Sequence, residues 1–185
     1  MLRSILILPA FCSAFALLAQ GPVPRKLNKA AVDFVSDAPL ERITAATSEA
    51  TGLLDPAQRT FVVRIPIRSF QGFNSPLQRE HFIENYMEAD EYPNAIFQGR
   101  LIEVIDLDKP GEHVVRAKGS FTVHGITQER IIECKVVVTP KGIRTTSKFP
   151  VTMADHDIRI PRVVQQKLSP VVEVQVDLLF SAAAG

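Results

Sequence analysis

The sequence predicts an all-β fold, an antiparallel closed barrel of about eight strands with one short helix. Apolar and polar residues alternate through most of the 185-residue chain, which is typical of strands with one buried face. Short connections at 124–125 and 140–142 separate consecutive strands and favour antiparallel hairpins over helical crossovers.

The first twenty residues predict an export signal. Arg3 precedes an apolar stretch over 5–18, which is shorter than the roughly 20 residues of a transmembrane helix. We expect cleavage between Ala16 and Gly21, which places the mature protein in the periplasm or outside the cell. Phe11, rather than a small residue, precedes Cys12, so a lipid anchor at that cysteine is not predicted.

The mature chain is expected to form one compact domain. Residues 21–28, with two prolines, predict a flexible leader, and residues 29–181 predict the domain itself. After cleavage Cys134 is the only cysteine, so no internal disulfide forms. The formal net charge of +1 falls to about zero without Arg3, which excludes the broad basic surface of a nucleic-acid-binding protein.

Eight segments carry the strand pattern in chain order. They cover residues 31–36, 43–50, 61–67, 95–104, 115–123, 132–138, 143–153 and 172–180. In the fifth of them Val115, Ala117 and Phe121 alternate with Arg116 and Lys118, so one face is wet and the other points inward.

One segment between the third and fourth strands predicts a helix. Ser75 is an N-cap, Pro76 stands at the first helical position and Gln78 at the capping-box position. An apolar stripe at helical spacing follows, made of Phe82, Ile83, Tyr86 and Met87. The segment closes at Pro93, and we expect the stripe to pack against one end of the barrel.

The predicted interior leaves room for a ligand. Small residues stand on inward faces between larger ones, at Ala45, Ala95, Gly99, Ala117 and Gly119. Alternatively, these residues relieve crowding where strands bend. The predicted cavity wall consists of Phe61, Val63, Ile65, Phe97, Leu101, Ala117, Gly119, Phe121, Phe149 and Val174, with Phe82 and Tyr86 at the cavity end.

No catalytic or metal site is predicted. The histidines, at 81, 113, 124 and 156, lie on four different predicted elements, and none belongs to a zinc-binding motif. The densest ligand-like cluster, Asp155-His156-Asp157, could converge on a metal in a loop, but a polar turn explains it equally well. Cys134 is predicted to point inward, where packing explains it better than reactivity.

Three sequence blocks carry a family resemblance. They are residues 79–97, with Tyr92-Pro93 leading into an apolar strand, residues 119–127, with a His-Gly-x-Thr turn, and residues 149–180. In these blocks the chain resembles the YceI-like proteins, exported lipocalin-like barrels associated with polyisoprenoid binding. The stretch 34–41 departs from that family's pattern and suggests a shortened first hairpin.

The resemblance implies a binding protein rather than an enzyme. The expected partner is a long apolar lipid, a polyisoprenoid, isoprenoid quinone or similar molecule, bound without a cofactor for carriage or storage. Two alternatives stay open: a filled barrel that binds another protein through its helix or the loop 155–161, and an enzyme acting on an isoprenoid lipid. The sequence also leaves open whether two copies form a homodimer.

Overall fold

The computed structural model describes residues 23–182, so the predicted signal segment and its cleavage site lie outside the described residues. Nine strands form one sheet. They are β1 (Arg25–Asp37), β2 (Arg42–Thr47), β3 (Thr51–Asp55), β4 (Thr60–Pro66), β5 (Asn94–Leu101), β6 (Gly111–Val123), β7 (Ile126–Thr139), β8 (Gly142–Thr152) and β9 (Val171–Phe180).

The sheet closes on itself through β1, which pairs with β9 along one edge and with β2 and β3 along the other. All pairings are antiparallel, and β1 with β3 to β9 makes a closed barrel of eight strands. Val32 pairs with Thr47 and Arg25 with Leu54 in one continuous register, so β2 and β3 lie end to end along the same side of β1. The predicted antiparallel barrel is confirmed.

The alternation in the sequence sets the two faces of each strand. On β6 the inner face holds Val115, Ala117 and Phe121, all buried, whereas Arg116 and Lys118 are exposed. The hairpin to β7 needs only His124 and Gly125, whose φ angles of 50° and 72° match the primed turn that suits twisted strands.

Several strand boundaries differ from those the sequence predicts: β6 and β7 begin at Gly111 and Ile126 rather than at 115 and 132, and β5 ends at Leu101 rather than at 104. Two further differences change the layout of the strands. Residues 25–28, expected in a flexible leader, belong to β1, where Arg25 is buried and forms an ion pair with Asp108. The partner lies far along the chain, and for that reason the polar stretch looked unstructured. The strand expected over 43–50 ends at Thr47, and Thr51–Asp55 forms a separate strand.

The predicted helix begins where expected, with α1 at Pro76–His81 continued by a π-helical turn at Phe82–Tyr86. Ser75 Oγ accepts a hydrogen bond from Gln78 N at 3.2 Å, while Gln78 Oε1 accepts one from Asn74 N. Ile83 and Met87 are buried in a cluster with the buried residues Ala95, Val123, Val151 and Ile158. The segment therefore packs over one end of the barrel.

Candidate ligand-binding site

The barrel encloses a cavity of about 530 Å³. Leu107 and Ile143, exposed by 2% and 0%, close it at the end that holds the β5–β6 loop. At the opposite end Leu77, His81 and Lys167 line the cavity and are exposed, so the cavity opens to solvent there. Ligand pockets typically measure about 300 to 1,000 Å³, and the cavity falls in that range.

The cavity wall contains eleven of the twelve residues predicted from the sequence. They are Phe61, Val63, Ile65, Phe82, Tyr86, Phe97, Leu101, Ala117, Phe121, Phe149 and Val174. They come from β4, β5, β6, β8, β9 and the helical segment, because each strand directs alternate side chains inward.

Gly119 is the exception and does not line the cavity. It stands opposite Gly99 in the β5–β6 register, and the two backbones approach so closely that a side chain fits at neither position. A Cβ atom at Gly119 would lie 2.1 Å from the carbonyl oxygen of Gln98, and one at Gly99 would lie 2.1 Å from that of Lys118. These two glycines permit a close strand approach, which agrees with the alternative explanation of crowding at bends.

Four phenylalanines form an aromatic cluster at the open end of the cavity. The Phe34 ring lies 5.4 Å from both Phe70 and Phe82, and Phe73 lies 5.0 Å from Phe82. Phe34, Phe70 and Phe73 are not among the residues that the sequence predicts for the wall. Phe70 and Phe73 belong to an irregular connection between β4 and α1, where no periodic pattern marks the inward side.

Titratable side chains are sparse in the wall. They are Asp33, Glu41, His81, Tyr86, Cys134 and Lys167. Among the described residues no hydrogen bond joins any two of these six side chains. Burial raises the pKa of the Cys134 thiol to about 11, which agrees with its predicted inward position. The wall therefore holds no assembled pair of nucleophile and base.

Two histidines that the sequence places on separate elements meet beside the β6–β7 turn. His124 Nδ1 donates to the carbonyl oxygen of His156 at 3.0 Å, and His124 Nε2 lies 2.7 Å from Glu88 Oε2. The turn is thus tied to the loop after β8 and to the end of the helical segment. Thr127 Oγ1 lies 2.8 Å from Thr122 Oγ1, so a hydrogen bond joins the two threonine side chains on either side of the turn.

His156 is fully buried, although it stands between two aspartates in a segment that a polar turn would explain. Its Nδ1 donates to the carbonyl oxygen of Ile126 at 3.2 Å, while its Nε2 has no partner among the described residues. The ring edge packs against Phe121, and loss of hydration lowers the pKa of His156. The residue therefore anchors the loop as a neutral side chain.

The described part of the chain holds no group of three or more residues suited to bind a metal ion. Asp155, His156 and Asp157 do not converge: the histidine is buried, whereas both aspartates are exposed. Within residues 23–182 no helix is both long and apolar enough to cross a bilayer.

A closed antiparallel barrel with an apolar cavity open at one end is the architecture of β-barrels that can hold one small ligand inside. The sequence profile of the YceI-like domain matches residues 28–180, and the chain therefore belongs to the YceI-like family. No curated protein matches the chain.

Several solved structures share the fold. A polyisoprenoid binding domain from Saccharophagus degradans has a TM-score of 0.72 at 14% identity, covering 85% of this chain and 98% of that one. Burkholderia cenocepacia BcnA has a TM-score of 0.67 at 14% identity, with coverages of 80% and 94%. The Campylobacter jejuni YceI protein has a TM-score of 0.59 at 13% identity, with coverages of 76% and 85%.

Proposed function

We propose that the protein binds one long apolar lipid, a polyisoprenoid, isoprenoid quinone or similar molecule, inside the barrel for carriage or storage. The observation that carries the proposal is the apolar cavity of about 530 Å³, open at one end. Affinity would come from removing apolar surface from water, worth about 25 cal/mol per Å². The similar fold of a polyisoprenoid binding domain supports this choice of ligand class.

The dimensions and the wall favour a chain over a compact ligand. An apolar protein cavity of about 150 Å³ already holds a benzene ring, so a volume of about 530 Å³ accommodates a molecule several times larger. Phenylalanines recur from the open end to the middle of the barrel, at Phe82, Phe97 and Phe121. Their flat rings offer contact area without hydrogen bonds, which suits a flexible hydrocarbon.

Binding without catalysis accounts best for the chemistry of the wall. Glu41 is held by Gln78 through a hydrogen bond of 2.9 Å, and Cys134 lies deep with a raised pKa. Catalysis on a lipid requires converging titratable groups near the reacting atoms. The described wall offers separate groups instead, most of them at the mouth.

The proposal includes export to the periplasm or beyond the cell, on the grounds of Arg3 and the apolar stretch that follows it. The intact mass of protein isolated from its native host tests this part. A mature chain that begins between residues 17 and 21 would support export, and one that retains Met1 would contradict it.

The direct test is mass spectrometry of an organic extract of the protein, purified from its native host without detergent. We expect an isoprenoid-type lipid in proportion to the protein. An unrelated exported protein, purified in parallel, controls for lipid carried through purification. An extract no richer than that control would contradict the proposal and favour a barrel that acts through its outer surface.

A further inference from the structure

The rim of the cavity mouth is built from three segments that are distant in sequence. They are the β1–β2 turn at 38–41, the start of α1, and the loop 158–168 between β8 and β9. Leu40 N donates to the carbonyl oxygen of Gln166 at 2.9 Å, and Gln78 Nε2 donates to Glu41 Oε1 at 2.9 Å. The β1–β2 turn therefore joins the other two segments into one rim.

Each rim segment exposes one large apolar side chain. Leu40, Leu77 and Val163 are exposed by 66%, 58% and 88%. Leu77 lines the cavity itself, while Leu40 and Val163 stand next to the lining residues Glu41 and Val164. Single exposed apolar residues are ordinary, but these three surround one opening and continue its apolar wall outward.

Positive charge accompanies the apolar side chains on one side of the mouth. The stretch 158–168 of the β8–β9 connection contains Arg159, Arg162 and Lys167 and no acidic residue, and the two aspartates of that connection, Asp155 and Asp157, precede it. Arg159 forms an ion pair, whereas Arg162 and Lys167 form none with any described carboxylate. Glu80 and Glu84 are exposed on the helical side, so the positive charge belongs to the loop side.

The opposite end of the barrel provides a contrast. Val104 is exposed by 83%, but its loop, residues 102–110, carries three acidic residues and one lysine. Leu107 closes the cavity at that end. The loop 102–110 therefore combines its exposed apolar side chain with acidic residues and a closed cavity, whereas the stretch 158–168 combines Val163 with Arg162, Lys167 and the open mouth.

We infer that the mouth docks on an anionic lipid membrane surface. Leu40, Leu77 and Val163 enter the interface, and Arg162 and Lys167 contact the headgroup phosphates. The inference rests on the proposed function, because a ligand that water does not dissolve passes most directly between a membrane and the cavity while the mouth faces the bilayer. Both the apolar and the charged components are needed, since either alone binds membranes weakly.

The test is sedimentation of the full mature chain with lipid vesicles. The parent protein should sediment with vesicles of phosphatidylcholine and phosphatidylglycerol in equal parts, and far less with phosphatidylcholine alone. The double variant Leu40→Asp/Val163→Asp should lose this binding; neither residue lines the cavity. The control Val104→Asp makes the same change at the closed end and should sediment like the parent.

A single charge variant tests the electrostatic component separately. Arg162→Gln should weaken binding to the anionic vesicles about fivefold, the equivalent of about 1 kcal/mol per cation near an anionic surface. It should leave the weak binding to phosphatidylcholine unchanged. Because Arg162 is exposed and unpaired, this variant folds normally and decides the question even if the double variant does not fold.

Three results would overturn the inference: a parent protein that fails to sediment with anionic vesicles, equal binding to both kinds of vesicle, or undiminished binding by the double variant. If the parent protein fails to sediment with anionic vesicles, a protein partner becomes the better explanation of the exposed apolar mouth. Lipid extraction in parallel separates this inference from the proposed function. If the parent protein contains lipid but does not sediment with vesicles, only the docking inference is refuted. If it sediments with vesicles but yields no extractable lipid, docking is supported and the proposed lipid binding is refuted.

Discussion

Cys134 shows how the surroundings of one side chain set its chemistry. The thiol lies on the inner face of β7, exposed by 7%, and burial raises its pKa to about 11. With a pKa of about 11, only about one molecule in ten thousand is ionised at pH 7. The thiolate is the form that reacts. We expect thiol reagents to modify the native protein far more slowly than the urea-unfolded chain. Equal rates would mean that the cavity admits the reagent and stabilises the thiolate.

His156 gives the stability of the protein a specific pH dependence. Burial lowers its pKa below the ordinary value of 6.5, so below pH 6.5 the unfolded chain binds this proton more readily than the folded one. The contribution of His156 to stability is therefore complete above about pH 6.5 and is lost as the pH falls through the lowered pKa. The urea concentration at the midpoint of unfolding should therefore decrease as the pH is lowered from 7 to 5.

The variant His156→Phe isolates this effect, because carboxylates elsewhere titrate in both proteins. A phenylalanine ring keeps the packing against Phe121 but has no proton to bind. We expect its urea midpoint to depend less on pH over the same range. Identical slopes in the two proteins would show that another group causes the pH dependence.

At the level of secondary-structure elements, the paired glycines of β5 and β6 make the sharpest prediction. Gly119→Ala introduces a Cβ atom that would lie 2.1 Å from the carbonyl oxygen of Gln98, so the two strands must separate. We expect a loss of about 2 kcal/mol or more in the free energy of unfolding, since backbone atoms cannot move aside as side chains do.

The neighbouring exposed substitution Lys118→Ala serves as the control and should change the free energy of unfolding by less than about 0.5 kcal/mol. Urea denaturation measures both variants. If Gly119→Ala were as stable as Lys118→Ala, the close approach of the two strands would have no energetic importance.

The strands that the sequence predicts best are those with one wet face, such as β4, β6 and β9. In these strands the outer face meets water along its whole length, so polar and apolar residues alternate without a break and the sequence shows the strand. The errors fall where a distant partner decides. Arg25 belongs to β1 because it pairs with Leu54 on β3, and its side chain also meets the distant Asp108. The short strand β3, which contains Gly52 and precedes Pro56, forms because β1 and β4 lie on either side of it.

At the scale of the whole molecule, the wall of the cavity was predictable and its mouth was not. Inward positions follow from strand parity, and the structure places Phe61 and Phe97 in the cavity wall for that reason. The mouth depends on the meeting of Leu40, Leu77 and Val163, which lie in a turn, at the start of α1 and in a loop, and no periodic pattern in the sequence links the three. Gly119 fails for a related reason: parity gives the face of a residue but not its distance from the neighbouring strand.

The volume that the whole barrel encloses can be tested with a larger side chain on its inner face. Ala117 is buried on the inner face of β6 and lines the cavity, so Ala117→Phe should direct a ring into the space of the ligand. In a close-packed core such an insertion costs typically about 1 to 3 kcal/mol, but a cavity accommodates it with little strain. We therefore expect loss of the extractable lipid with a nearly unchanged urea midpoint, measured after lipid removal from both proteins.

Ala31→Phe, the same change on the exposed face of β1, should keep the lipid. The carrier function would be contradicted by two results together: no extractable lipid in the parent protein, and a large loss of stability in Ala117→Phe. Together they would show that the interior tolerates no added volume.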